Sequence, residues 1–216
     1  MTGTAEDVRA ALEAAASVDE RAKIRTRMTD ALTRVVGVRM GTVFEIAKAN
    51  TAMSLSEVDR LLDSDGYEEQ MVAVSILDFK AQARDADRAA LYDLWMRRID
   101  RIDTWDCIDR SAPRVVGGYL IDKPRYVLFE LAISPNRWHR RTAITAAFWI
   151  IRAGDLDDPL ALCDLLAADP EHLVQSNVGV ALREIGRVDR ARLEEFLERR
   201  GSELSAHARR TARTAL

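Results

Sequence analysis

Apolar residues recur three and four positions apart along nearly the whole chain, and no segment alternates convincingly with period two. This pattern predicts helices throughout. An opening pair is expected over 5–16 and 19–35, then a turn at Gly37 and a helix over 39–49. Ser54-Leu-Ser-Glu57 has the form of a capping box and should start a short helix reaching about Leu62. Asp63-Ser-Asp-Gly66 breaks it, and helices over 67–82 and 87–100 follow. The second half repeats the rhythm: 104–119, 124–132, 137–152 behind Ser134-Pro135-Asn136, 157–167, 171–186 behind Asp169-Pro170, 190–199 and 203–214. Connections are short, and helix pairs return about every 30–45 residues, the rhythm of HEAT or armadillo arrays. The expected fold is all-α: one α-solenoid of HEAT-like antiparallel helix pairs with a concave groove, continuous over 1–216.

Composition agrees with this reading. Of 216 residues 48% are hydrophobic, only 6% are aromatic, and just 5 are proline, so helix formers dominate. No run approaches the roughly 18 consecutive apolar residues of a membrane span. The N-terminus shows no basic region followed by an apolar block, so a cytoplasmic protein without membrane contact is expected. The net charge of −3 argues against indiscriminate nucleic-acid binding, but it hides an asymmetry. Residues 1–100 carry 14 Lys/Arg against 18 Asp/Glu, whereas 101–216 carry 18 against 17. Arginines cluster at Arg137, Arg140, Arg141, at Arg183, Arg187, Arg190, Arg192, and at Arg209, Arg210, Arg213. These clusters leave room for a local basic strip on an acidic protein. Cys107 and Cys163 are too few for a disulfide framework or a zinc site, and His139, His172 and His207 have no ligand spacing, so no metal is expected. Phosphate-loop, dinucleotide and serine-hydrolase motifs are missing.

Two segments carry candidate chemistry. Trp105 and Asp109 are spaced i, i+4 and share one helix face. A ring beside a carboxylate suits a flat cationic group. The same residues also suit a plain first turn, with acids favouring the helix dipole and the tryptophan wedged between helices. Arg141 lies at the edge of the Ile144, Ala147, Phe148, Ile151 stripe. From there it either snorkels to a groove and grips a phosphate, or pairs with an acid on a neighbouring helix.

Together these segments resemble the AlkD family of alkylpurine DNA glycosylases. Five elements occur in order: the Gly37-Val38-Arg39-Met40 turn, Tyr67-Glu68-Glu69-Gln70-Met71, Trp105-x-x-x-Asp109, Trp138-His139-Arg140-Arg141-Thr142-Ala143-Ile144, and the helix from Val174-Gln175 to Arg183-Glu184. The resemblance implies Asp109 as catalytic carboxylate, Trp105 as a wall against the lesion's deoxyribose, and Arg141 as a contact to the DNA backbone. Arg39, Trp138, Arg140, Arg183, Arg187, Arg209 and Arg210 are the further candidate DNA contacts. Val180 stands where active members carry a second groove tryptophan. Trp149, on the same helix as Trp138, is the candidate to reach that gap.

The implied reaction is hydrolysis of the N-glycosidic bond of a cationic purine, of the 3-methyladenine or 7-methylguanine type, without base flipping. The base leaves neutral, so positive charge develops on the sugar, and a nearby carboxylate is worth about 3–4 kcal/mol there. No cofactor is called for. The implied partner is double-stranded DNA containing alkylated bases, met by a monomer with no obligate protein partner in the bacterial cytosol or nucleoid. The alternative is a non-catalytic HEAT-repeat protein that recognises damaged or branched DNA.

Overall fold

In the computed structural model, which describes residues 3–28 and 34–216, the periodic segments fold as helices. No strand forms among those residues, and one isolated bridge joins Arg34 to Gly66. The chain divides into two compact units, Met1–Ser111 and Ala112–Leu216.

The first unit holds α1 (Ala5–Ala14), α2 (Val18–Arg25), α3 (Met40–Ala49), α4 (Leu55–Leu62), α5 (Tyr67–Lys80), α6 (Arg88–Arg97) and α7 (Trp105–Ala112) up to Ser111. Its spine is α5, buried at every position from Tyr67 to Asp78 and packed on α1, α3 and α4. A helix buried all round must satisfy its own polar side chains, and the carboxylates of this one are met, while Gln70 Oε1 has no hydrogen-bond partner among the described residues. Glu69 binds Arg9 at 3.0 Å and also pairs with Arg34, while Asp78 holds Arg110 of α7 at 2.6 Å.

Two local expectations are corrected. The helix expected over 19–35 ends at Arg25; residues 29–33 lie outside the described residues, and 34–39 are not helical. The physical reason is Glu68: its buried carboxylate accepts the amides of Val36 (2.9 Å), Gly37 (2.7 Å) and Val38 (3.2 Å). A single acceptor thus takes donors that a helix would have used. Gly37 is needed for this turn, since its φ is +98° and an added Cβ would sit 2.4 Å from the Ser17 carbonyl oxygen. The capping box at Ser54 forms only by half. Ser54 accepts the Glu57 amide, but the Glu57 carboxylate turns to the amide of Ala5 at 2.7 Å. A full reciprocal box forms instead between Thr4 and Asp7.

The helix expected over 104–119 is also split. Pro113 has no N–H to give the carbonyl of Asp109, so the regular ladder ends with α7 and a π-turn, Pro113–Gly117, follows.

The second unit continues with α8 (Tyr126–Ala132), α9 (Arg137–Arg152), α10 (Asp157–Leu166), α11 (His172–Val188), α12 (Arg190–Arg200) and α13 (Ala206–Arg213). Asn136 caps α9 as expected, taking the Trp138 amide at 2.9 Å. Helix α9 packs on α8, α10 and α11, and α11 in turn on α12 and α13. Gly179 allows the last approach: a Cβ there would lie 2.7 Å from the backbone of Ala208. Gln175 then ties three elements, giving its amide to the carbonyls of Leu166 and Ala167 and accepting the Ser205 amide at 2.9 Å. Asn177 of α11 donates to Thr145 of α9 at 2.7 Å. The residues of the α9 and α11 motifs are therefore largely interhelical joints.

Candidate functional site

In the first unit a cavity of about 330 Å³ opens beside the start of α7. Trp105 and Asp109, one turn apart, both line it, with Met28, Met40, Phe44 and Met71 supplying apolar walls. The shared face expected from the i, i+4 spacing is present. Trp105 is 39% exposed, so its ring is offered to solvent rather than consumed as an interhelical wedge. Asp109 is half-buried on the same wall.

The neighbouring acid, Asp106, has a different task. It accepts the hydroxyl of Tyr67 from α5 and the amide of Cys107 at 3.0 Å. Burial, and then the Asp106 charge, push the Tyr67 hydroxyl well above its ordinary range, so it stays protonated and donates. Arg110 completes the frame. Its guanidinium reaches Asp78 and the Ser75 hydroxyl (3.2 Å) and lies over the rings of Phe44 (5.1 Å) and Phe79 (4.8 Å). Two pins from α5 thus fix α7 on either side of Asp109. Local pattern reading missed both Tyr67 and Arg110 as site residues, although the Tyr67-Glu68-Glu69 string was visible. The adjacent Cys107 thiol is buried and pushed up, which leaves it inert. Among the described residues no three His, Cys, Asp or Glu side chains gather as a metal site would.

In the second unit the expected residues separate by task. Arg141 is only 3% exposed, and its guanidinium donates to the Leu173 carbonyl, so of its two expected readings the snorkelling to a surface groove does not occur. Arg140 grips Asp169 at 2.6 and 3.2 Å, and this acid also caps the approach to α11 by accepting the Glu171 amide at 2.9 Å. Trp138 is half-buried under the Arg137 guanidinium, 4.7 Å from its ring centre. Arg187 and Arg210 are exposed and Arg183 and Arg209 half-buried, with Glu184 pairing both Arg183 and Arg187 at 2.9 Å. Arg39 is exposed in the first unit, 3.6 Å from Glu20.

Val180 does line a cavity, of about 590 Å³, and Trp149 stands in the same wall. Trp149, the candidate to reach the gap that the resemblance implies at Val180, thus lines the same cavity.

A model of the DNA alkylation repair enzyme family matches residues 8–216. The chain belongs to this family. The structure is similar to one described as a predicted DNA alkylation repair enzyme from Enterococcus faecalis, with TM-score 0.71 and 16% identity over 91% of this chain and 94% of that one. It is also similar to a member of a family described as related to the HEAT-like repeat DNA glycosylases with affinity for branched DNA structures. There the TM-score is 0.68 and the identity 16%, over 98% of this chain and 93% of that one. No curated protein matches the sequence at a significant level. The HEAT-like helical fold expected from the rhythm of the sequence is the one these neighbours share. No helix among the described residues is long and apolar enough to cross a membrane.

Proposed function

We propose that this family member is a glycosylase that hydrolyses the N-glycosidic bond of cationic alkylpurines in duplex DNA without flipping the base into a pocket. The observation that carries the reading is Asp109 on the wall of the first unit's cavity, one turn from an exposed Trp105. An alkylated purine leaves as a neutral base, so the enzyme need not protonate it. The charge that grows on the deoxyribose is met by the Asp109 carboxylate, which also orients the attacking water. The Trp105 face adds attraction for the same cation, worth about 0.5–2 kcal/mol. Asp106, committed to Tyr67 and the Cys107 amide, is left out of the reaction.

The DNA backbone is held in this reading by Arg39, Arg187 and Arg210, with Arg183, Arg209 and Trp138 beside them; such contacts position the duplex and make binding salt-sensitive. Arg140 and Arg141 serve by fixing α9 against Asp169 and Leu173. The continuous family match supports treating residues 8–216 as one working domain, and in this reading the domain acts as a monomer in the cytosol. The test is base release from methylated duplex DNA by the wild type and by Asp109→Asn. Loss of release in the variant supports the reading, and equal release removes Asp109 from the chemistry.

One observation favours a second reading, DNA binding without excision: one structural neighbour is described by its affinity for branched DNA, and Val180 stands where the family resemblance implies a tryptophan. Tight binding of branched duplexes with no base released from any methylated substrate would establish it.

A further inference from the structure

The second unit's cavity has a composition that excision chemistry does not use. Trp149 stands in its wall, half-buried, with the Arg114 guanidinium 4.6 Å and the Arg152 guanidinium 5.0 Å from the centre of its ring. Arg152 is exposed and makes no ion pair among the described residues, so its charge is held over the ring rather than spent on a carboxylate. Arg183 and Arg187 lie on the same rim, against one acid, Glu184. The ring itself is fixed in place. Gly117 and Gly118 of the preceding turn leave room for it, since a Cβ on Gly117 would meet the Ala146 carbonyl oxygen at 2.0 Å and the Trp149 Cβ at 3.2 Å. The floor is apolar, with Val180 and Val188, the latter 53% exposed. A volume of about 590 Å³ lies within the span of small-molecule sites, about 300–1,000 Å³.

A rigid indole beside a surplus of guanidinium groups matches what a single unpaired nucleotide needs: a flat face for the base and cations for its phosphates. A paired duplex hides its base faces and offers only the phosphates. We propose that the Trp149 cavity is a binding site for an unpaired nucleotide of DNA, the base taking the place of the Arg152 guanidinium over the indole, and that guanidinium, with Arg183 and Arg187, holding the phosphate. The proposal rests on the DNA-binding part of the reading above and not on excision. It gives the second unit a ligand selectivity of its own, for duplexes carrying a bulged or displaced base.

The experiment measures binding, by fluorescence anisotropy, of an undamaged labelled duplex with one unpaired thymidine and of the same duplex fully paired. Stacking on an aromatic side chain is worth about 1–3 kcal/mol per base, so the wild type should prefer the bulged duplex by roughly fivefold or more. Trp149→Ala should erase that preference, and Trp149→Phe should keep most of it. Arg152→Ala, at an exposed position that does not threaten folding, should weaken bulge binding and flatten its salt dependence by about one counterion. Asp109→Asn should keep the full preference whether or not the wild type releases bases. A wild type with no preference, or a preference that survives in both Trp149→Ala and Arg152→Ala, overturns the proposal and leaves the excision reading standing. Loss of release in Asp109→Asn alone says nothing against it.

Discussion

The two units solve the same problem, fixing helices firmly enough to present side chains, by different means. In the first, buried carboxylates do the fixing: Glu68 gathers the amides of 36–38, Glu69 draws in Arg9 and Arg34, and Asp78 holds Arg110. In the second, one buried carboxylate, Asp169 on Arg140, is joined by close backbone approach, through Gly179 against Ala208 and Gly117 against Ala146, with Gln175 and Asn177 as neutral joints. The first unit sets Asp109 beside an apolar cavity, and the second sets Arg152, Arg183 and Arg187 around a cavity walled by an indole. In the reading proposed above, the carboxylate that meets a developing cation lies in the first unit, and the cationic, aromatic cradle for nucleic acid in the second.

If carboxylates are what hold the first unit, the largest loss of stability follows from removing the busiest one. Glu68→Ala strands three buried amides at about 1–3 kcal/mol each, so the first unit should lose roughly 3 kcal/mol or more. Hydrogen exchange over α3 and α5 would register it, and native-like protection there would break the contrast. The matching change in the second unit is Gly179→Val, which drives a side chain into the Ala208 backbone and should cost about 1–3 kcal/mol by overpacking. A thermal melt unchanged by Gly179→Val would show that α11 and α13 do not depend on close contact. Tyr67→Phe is smaller. It removes a hydroxyl donated to a half-buried carboxylate, so about 1.5 kcal/mol is expected, with a drop in any base release because α7 is less firmly placed.

The smallest effect is electrostatic. The Ala5 amide, and then Arg60, hold Glu57 below its ordinary value of 4.5. Its contribution to stability is therefore present above 4.5 and is lost as pH falls through the lower folded value. Glu57→Gln should melt slightly earlier than the wild type at neutral pH and no earlier in strong acid. A difference that grows on acidification would reverse the sign.

Much of this was legible in the sequence because it is local. Helical periodicity gives the all-α rhythm, Asn136 announces α9, and the i, i+4 spacing puts Trp105 and Asp109 on one face. What failed was non-local. Residues 34–38 carry a helix-compatible pattern, and only Glu68, some 30 positions later, diverts their amides. The Glu57 carboxylate likewise leaves its own cap for an amide 52 positions away. Pro113 was a local warning inside the expected 104–119 helix, and the structure ends the regular ladder there. Arg141 sits at a stripe edge that, with α11 packed on α9, becomes interior, so its fork serves the Leu173 carbonyl. That Trp149 lines one cavity with Val180 is not legible from helix spacing, which says nothing of which neighbour a ring will meet.

The central claim is that one carboxylate beside one sugar does the chemistry. Purified wild type and Asp109→Asn, incubated with duplex DNA carrying 7-methylguanine, measure it by the free base released over time. The account predicts steady release by the wild type and a fall of about 100-fold or more in the variant, with the melting temperature preserved. Equal release by the two proteins, or none by the wild type, contradicts it.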